Sequence, residues 1–280
     1  MPVLYAQEYG LVLSGGGGKG AYEVGVWKAL CEYGIGQKVT EFSGTSVGGL
    51  NAALFASTLP EYSEKIWKEF VPKLLTDQNG TLAEQFISQK GLKQIIEMVP
   101  LQNIKNCKRP RVTVTALKNR MKILKLIIKK KPGTNATRFI LNNENSVEEI
   151  QNELLATAAF PVVCSPVLLK DGFEYTDGGE ENAGGDNTPI VPVVQNSAVH
   201  TIFVVYLNDE HRLERRVRQI DYPSVQLIEI IPTIDLGSIM EGTVNFSEPR
   251  INQLIERGYE DAVDILRKKG FYPVSSYWFR

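Results

Sequence analysis

Apolar positions recur along the chain in two alternating rhythms. Leu11-Val12-Leu13 is a short continuous apolar run, as in a strand buried on both faces. Val24, Leu30 and Tyr33 then return at helical spacing across Ala21–Tyr33, ahead of Gly34 and Gly36. Lys38–Phe42 predicts a second short strand. The stretch SGTSVGGLNAALFAS predicts a small-residue helix after it, with Leu50, Ala53 and Leu54 on one face. Strand, loop and helix thus occur twice in succession, which places the chain in the α/β class.

Further along, Glu61 to Pro100 reads as helices interrupted by the turn signal Asp77-Gln78-Asn79-Gly80, a segment suited to covering a site as a cap. Arg111–Leu117 predicts a strand, with Val112 and Val114 between threonines. MKILKLIIKKKPG and TRFIL predict a hairpin joined through Lys131-Pro132-Gly133. A helix is expected near Val147–Ala158, with short strands around Val167 and Phe173 and a clear strand at Thr201–Leu207. Ser247-Glu248-Pro249 opens a long helix that turns Ile251, Leu254, Ile255, Ala262, Ile265 and Leu266 inward and stops at Gly270. With no repeat, low-complexity linker or sharp boundary, residues 1–280 read as one domain, large enough to bury a substantial core.

Charge narrows the picture only by exclusion. The 31 basic and 32 acidic residues leave a net charge of −1, so global charge names no polyanionic partner and gives no reason to expect nucleic acid. Cys31, Cys107 and Cys164 are widely separated and contain no CxxC pair, which argues for a reducing, cytoplasmic setting and against a zinc knuckle. The first residues lack a basic segment followed by an apolar one, and no stretch approaches the ~18 apolar residues of a membrane span. Any contact with a membrane is therefore expected to be peripheral.

Two glycine motifs carry the candidate chemistry. Gly15-x-Gly17-x-x-Gly20 satisfies GxGxxG between a strand and a helix, the context of a dinucleotide-binding turn. That reading also needs an acidic residue about 20 positions on, for which Glu41 is the candidate. A Walker loop does not fit, because Lys19 precedes Gly20 rather than Ser or Thr. Gly44-Thr45-Ser46-Val47-Gly48 is a GxSxG sequence at a strand-to-helix junction, where a nucleophile elbow belongs. Gly44 and Gly48 remove the side chains that would collide in the sharp turn, leaving Ser46 Oγ at a helix N-terminus. Given that serine, the amides of Gly15, Gly16, Gly17 and Gly18 can converge on an oxyanion. A bland reading also stands: the glycines serve close packing and Ser46 is a helix N-cap.

The ordered blocks Gly15-Gly16-Gly17-Gly18-Lys19-Gly20, Gly44 to Gly48 and Asp177-Gly178-Gly179, with ATAAFPVVCSPV ahead of the aspartate, closely resemble the patatin-like phospholipase family. The resemblance runs from about residue 9 to about residue 207. It implies a three-layer α/β fold with a mostly parallel central sheet, and a lipid acyl hydrolase that needs no metal or cofactor. It further implies a dyad in which Ser46 attacks an ester carbonyl, Asp177 takes its proton and an acyl-enzyme forms, with Lys19 helping to fix the glycine loop. One departure stands out. The family usually runs from Asp-Gly-Gly to Asn-x-Pro within a few residues, whereas Glu180 to Gly185 here precede Asp186-Asn187-Thr188-Pro189, which makes Asp186 a rival base.

Three competitors accompany this expectation. The order Ser46, Asp177, then His200 or His211 is that of an α/β-hydrolase triad. A nucleotide-binding oxidoreductase using Gly15–Gly20 and a non-catalytic lipid-binding scaffold are the other two. The cations Lys129, Lys130, Lys131, Arg212, Arg215, Arg216 and Arg218 are either an ordinary solvated surface or a patch that seats the enzyme on anionic lipid.

Overall fold

The computed structural model describes residues 7–75, 89–119, 133–161, 164–211 and 216–274. The expected first unit is present: β1 (Glu8–Leu13), α1 (Ala21–Glu32), β2 (Val39–Thr45) and α2 (Val47–Ser57) follow in order. β2 runs three residues past the predicted Phe42. Ser43 and Thr45 are fully buried between neighbouring strands, and their polarity hides them from a hydrophobic pattern. The helical stretch follows as α3 (Pro60–Lys65), a π-helical turn (Ile66–Phe70), α4 (Val71–Leu75), α5 (Gln89–Met98) and α6 (Leu101–Lys105). The predicted Asp77–Gly80 turn lies outside the described residues.

The second half contributes β3 (Arg111–Lys118), β4 (Ala136–Ile140), α7 (Val147–Thr157), β5 (Val167–Leu168), β6 (Glu174–Asp177), α8 (Val191–Val194), β7 (Val199–Val205), β8 (Gln226–Ile230) and α9 (Glu248–Lys268). The TRFIL segment is the core of β4 and pairs antiparallel with β3. The other arm of its expected hairpin lies outside the described residues. β8 is a strand that the sequence reading did not identify.

These strands form one sheet in the order β5-β6-β3-β2-β1-β7-β8, with β4 also on β3. β3, β2, β1, β7 and β8 are mutually parallel. Chain order reverses at β1, with β2 and β3 to one side and β7 and β8 to the other, and ligands of such sheets sit at the carboxyl ends of the strands at that reversal. Leu11, Leu13, Phe203 and Val205 face the core shared with α1, α2 and α9. Val12, Ile202 and Val204 point to the opposite face, beneath Ile190 and Val193 beside and within the short α8. The sheet is thus covered on both faces, deeply on one and thinly on the other, and an apolar run such as IFVV is what two-sided burial requires.

One detail of register positions the site. β3 pairs with β4 along one edge, from Thr113 to Leu117. Its other edge is shared: β2 occupies it up to the pair Thr45–Thr115, and β6 takes over at Ala116–Asp177 from the opposite direction. The carboxyl ends of β2 and β6 therefore meet on adjacent residues of β3.

Candidate active site

Ser46 sits in the single residue between β2 and α2. Its backbone lies at φ 55°, ψ −129°, and among the described residues it is the one non-glycine with positive φ. Such a conformation costs of order 1–3 kcal/mol, so the surroundings must impose it. They do: a Cβ at Gly44 would lie 2.2 Å from the Gly48 carbonyl oxygen, and one at Gly48 would lie 2.4 Å from that of Leu13. The two glycines let the turn close against itself and against β1. The Ser46 carbonyl accepts from the amides of Gly49 and Leu50 at 2.9 and 3.1 Å, while its own amide donates to Thr157 Oγ1 at 3.0 Å. Thr157, in the last turn of α7, in turn donates to the Thr115 carbonyl. Ser46 occupies the N-cap position of α2, but its Oγ makes no capping bond to the helix.

Asp177 arrives from the other strand end. It is 5% exposed, its carboxylate accepts a hydrogen bond from the Gly179 amide at 2.8 Å, and it lies beside the Ser46 hydroxyl. Burial pushes its pKa up to about 6. Ser46 and Gly179 pull against that rise, and the Glu180 carboxylate adds to it. The rival Asp186 is occupied elsewhere: it is buried in an ion pair with Arg138 at 2.9 Å, its amide donates to Gly178 O and its carbonyl accepts from Thr45 Oγ1. Asp186 thus ties the longer acidic loop to β2 and β4. His200 is an exposed residue of β7. His211 lines the cavity described below with an exposed side chain, and neither histidine is among the groups that act on the Asp177 carboxyl.

The glycine loop divides by role. The amide of Gly15 already donates to Asn187, to the carbonyl at 3.3 Å and to Oδ1 at 3.2 Å. Gly15 is therefore an anchor to the Asn-x-Pro segment, and the amides of Gly16, Gly17 and Gly18 are the ones left without such a tie among the described residues. Gly17 has φ +58°, and a Cβ there would lie 2.2 Å from Thr243 O; at Gly18 it would lie 2.4 Å from Asn245 O. The loop is pressed under the segment around the π-helical turn Ile239–Thr243. Lys19 is buried and donates to Asn208 Oδ1 at 3.0 Å, which fits a residue that fixes the loop. Glu41, on which a dinucleotide reading depended, is buried in an ion pair with Arg111 at 2.6 Å and accepts from Asn196. It is not free to meet a ribose. Among the described residues no cluster of His, Cys, Asp or Glu side chains converges to hold a metal ion.

Ser46, Asp177 and Gly15–Gly17 open on a cavity of about 940 Å³. Leu50 and Leu54 of α2, Ile66 and Trp67 of the π-turn, Val71 and Leu75 of α4, and Leu92, Ile95 and Ile96 of α5 make its apolar wall. The described part of the helical stretch thus lines one wall of the site. Lys19, Glu180, Asn208 and Ser238 supply polar lining. A model of the patatin-like phospholipase family matches residues 11–194, a span that holds all three motifs.

The chain belongs to the patatin-like phospholipase family.

Its curated relatives include the Neuropathy target esterase sws of Drosophila persimilis, 28% identical over 188 residues and 64% of this chain, and that of Drosophila melanogaster, 27% identical over 210 residues and 72% of this chain. The chain matches only 12% and 13% of the lengths of those proteins. Among solved structures, VipD from Legionella pneumophila aligns with a TM-score of 0.56 at 13% identity, over 94% of this chain and 67% of that one, a likeness of fold. Within this patatin-like domain no described helix is long and apolar enough to cross a membrane. Of the arginines read as a lipid patch, Arg216 is paired with Glu229 and Glu210 and Arg218 with Asp221, while Lys129–Lys131, Arg212 and Arg215 lie outside the described residues.

Sequence reasoning missed Thr157, Glu23 and Asn51. The last two left a faint signal, a carboxyl inside AYEVGV and an amide inside LNAALFA, each polar where its helix is otherwise apolar.

Proposed function

We propose that this domain hydrolyses carboxylic esters of phospholipids or related lipids through a Ser46–Asp177 dyad. The observation that carries the reading is the backbone of Ser46, held strained beside the buried Asp177 carboxyl at the wall of an apolar cavity. In this reaction Ser46 Oγ attacks the ester carbonyl carbon as its proton passes to Asp177. The tetrahedral oxyanion is received by the amides of Gly16, Gly17 and Gly18, with Gly15 as their anchor. Collapse of the intermediate breaks the ester C–O bond, and Asp177 returns the proton to the departing alcohol, leaving an acyl-serine. Water then gives a proton to Asp177 and attacks. Ser46 leaves with that proton and the free acid departs. A carboxyl titrating near 6 is a better base than an ordinary aspartate and is still ionised at neutral pH.

The family and the apolar wall support a lipid acyl group as the part bound against Leu50, Leu54 and Ile96, with the alcohol portion toward Lys19 and Asn208. The largest apolar cluster takes in residues from Tyr9 to Leu266, which supports one acyl-hydrolase unit over the chain. Peripheral membrane contact rests on Lys129–Lys131, since the described arginines are neutralised. The test is Ser46→Ala against wild type, with p-nitrophenyl butyrate and a fluorophosphonate label. Loss of both turnover and label in a folded mutant is expected, and a retained label would put the nucleophile elsewhere.

A further inference from the structure

A buried polar chain runs behind the candidate site, and the dyad does not use it. Asn51 lies on α2, five residues beyond Ser46, in an otherwise apolar turn. Trp67 Nε1, which can only donate, meets Asn51 Oδ1 at 2.9 Å, so the orientation of the amide is fixed. Both hydrogens of Asn51 Nδ2 are then directed away from Trp67. One goes to the Gly20 carbonyl at 3.0 Å and the other to Glu23 Oε2 at 2.8 Å.

Glu23 is 0% exposed, and among the described residues no cation pairs with it. Its second oxygen, Oε1, has no hydrogen-bond partner there. An ionised carboxylate in that setting is costly to desolvate, and burial drives its pKa well above the usual carboxylate range, against the pull of Asn51 and of the Ser14 amide. Full burial without a partner cation favours its protonated form. Asn51 in turn holds Gly20, where the glycine loop closes. Gly20 itself is wedged in place: a Cβ there would lie 2.3 Å from Val47 Cγ2 and 3.1 Å from the Trp67 ring.

We propose that Asn51 and Glu23 are positioning residues for ester hydrolysis, tying the closing end of the glycine loop to the helix that carries Ser46 and so fixing the gap between the nucleophile and the loop amides. The inference rests on the serine hydrolase reading. Both parts of the gap belong to different chain segments, and nucleophile and oxyanion donors must be held together to well under 1 Å, since a displacement of about 1 Å can cost about 10²-fold in rate. Because Glu23 accepts from Asn51 and pairs with no cation among the described residues, an amide can replace it. Gln at this position still accepts from Asn51 Nδ2, whereas Leu does not.

The experiment measures kcat and KM for p-nitrophenyl butyrate, per folded molecule, in Asn51→Ala, Glu23→Gln and Glu23→Leu, each across pH 5–9. Asn51→Ala and Glu23→Leu are expected to lose about 10–10²-fold in kcat with KM within about 3-fold. Glu23→Gln is expected to stay within about 3-fold of wild type, with the acid limb of its profile unmoved. A wild-type kcat in folded Asn51→Ala overturns the proposal, as does a Glu23→Gln enzyme as slow as Glu23→Leu with a displaced acid limb, which would make Glu23 act as an ion. Should Asn51→Ala fail to fold, the Gln and Leu pair at position 23 decides alone. Ser46→Ala run alongside separates the two levels: turnover retained there overturns the dyad itself, whatever Asn51 does.

Discussion

Replacing Asp177 by Asn should abolish turnover and, at alkaline pH, make the protein more stable. The folded carboxyl titrates at about 6 instead of its ordinary 3.8, because burial penalises its charged form more than Ser46 and Gly179 compensate. Between those two values the folded chain binds more protons at this site than the unfolded chain does. Stability therefore falls as pH rises through that window and stays reduced above it. The interval corresponds to about 3 kcal/mol at 1.36 kcal/mol per pH unit, an upper figure for a side chain this deeply buried. Asn keeps an acceptor for the Gly179 amide, though it is a poorer partner for the Ser46 hydroxyl, so a net gain of about 1–2 kcal/mol at pH 8 remains after the loss of about 1 kcal/mol for one weakened hydrogen bond. Urea unfolding of wild type and Asp177→Asn at pH 4 and pH 8 measures it. The advantage of the mutant should be absent at pH 4 and present at pH 8. A mutant less stable than wild type at pH 8 by as much as at pH 4 would mean that Asp177 is not strained by its burial, and the assignment of its raised pKa would be wrong.

The same titration sets activity: kcat/KM on a neutral short-chain ester should fall below about pH 6 with the slope of one proton, and Glu180→Gln should move that limb to lower pH by removing a neighbouring negative charge. A limb that stays in place would exclude Glu180 as a contributor. Gly17→Ala puts a Cβ into a positive-φ position against Thr243 O, and should cost about 10²–10³ in kcat while KM changes little. Equal losses in both constants would point to disturbed substrate binding instead. Leu54 stands about 12 Å along α2 from Ser46, at 1.5 Å per residue, so Leu54→Trp should depress hydrolysis of long-chain p-nitrophenyl esters and spare the acetate. A uniform loss across chain lengths would refute the placement of the acyl group.

Local chemistry was the part of the site legible in the sequence. Gly44 and Gly48 flank Ser46 at a spacing that only a tight turn explains, and a strand before and a helix after are visible within a dozen residues. What long-range partners decide was not legible. Glu41 satisfied the dinucleotide pattern until Arg111 and Asn196 claimed it, and Asp186 rivalled Asp177 until Arg138 did. Gly15 looked equivalent to its neighbours, and only the approach of Asn187 sets it apart. Thr157 stands 111 residues from the amide it holds, and nothing in its own helix announces that role. In the fold, the parallel strands showed themselves as apolar runs. The end of β2 did not, because its last residues are small and buried, two of them polar, and β8 did not, because Gln226 and Glu229 interrupt its apolar residues and Pro223 and Pro232 bracket it.

The meeting of β2 and β6 along a single edge of β3 makes that edge a ruler for the whole arrangement. Thr45 and Asp177 are read off neighbouring marks, Thr115 and Ala116, so their separation is set by one residue step of a strand, about 3.3 Å. A slip of one mark would turn the carboxylate to the wrong side of the sheet. The stretches between the marks answer to no such measure. The helices beyond Trp67 and before Arg111 contribute no strand to the ruler, and they can lengthen, shorten or be exchanged without moving either Thr45 or Asp177 along it. The parts that shape the cavity are thereby free to diverge while the chemistry keeps its dimensions, which is how one scaffold can be fitted to many different esters.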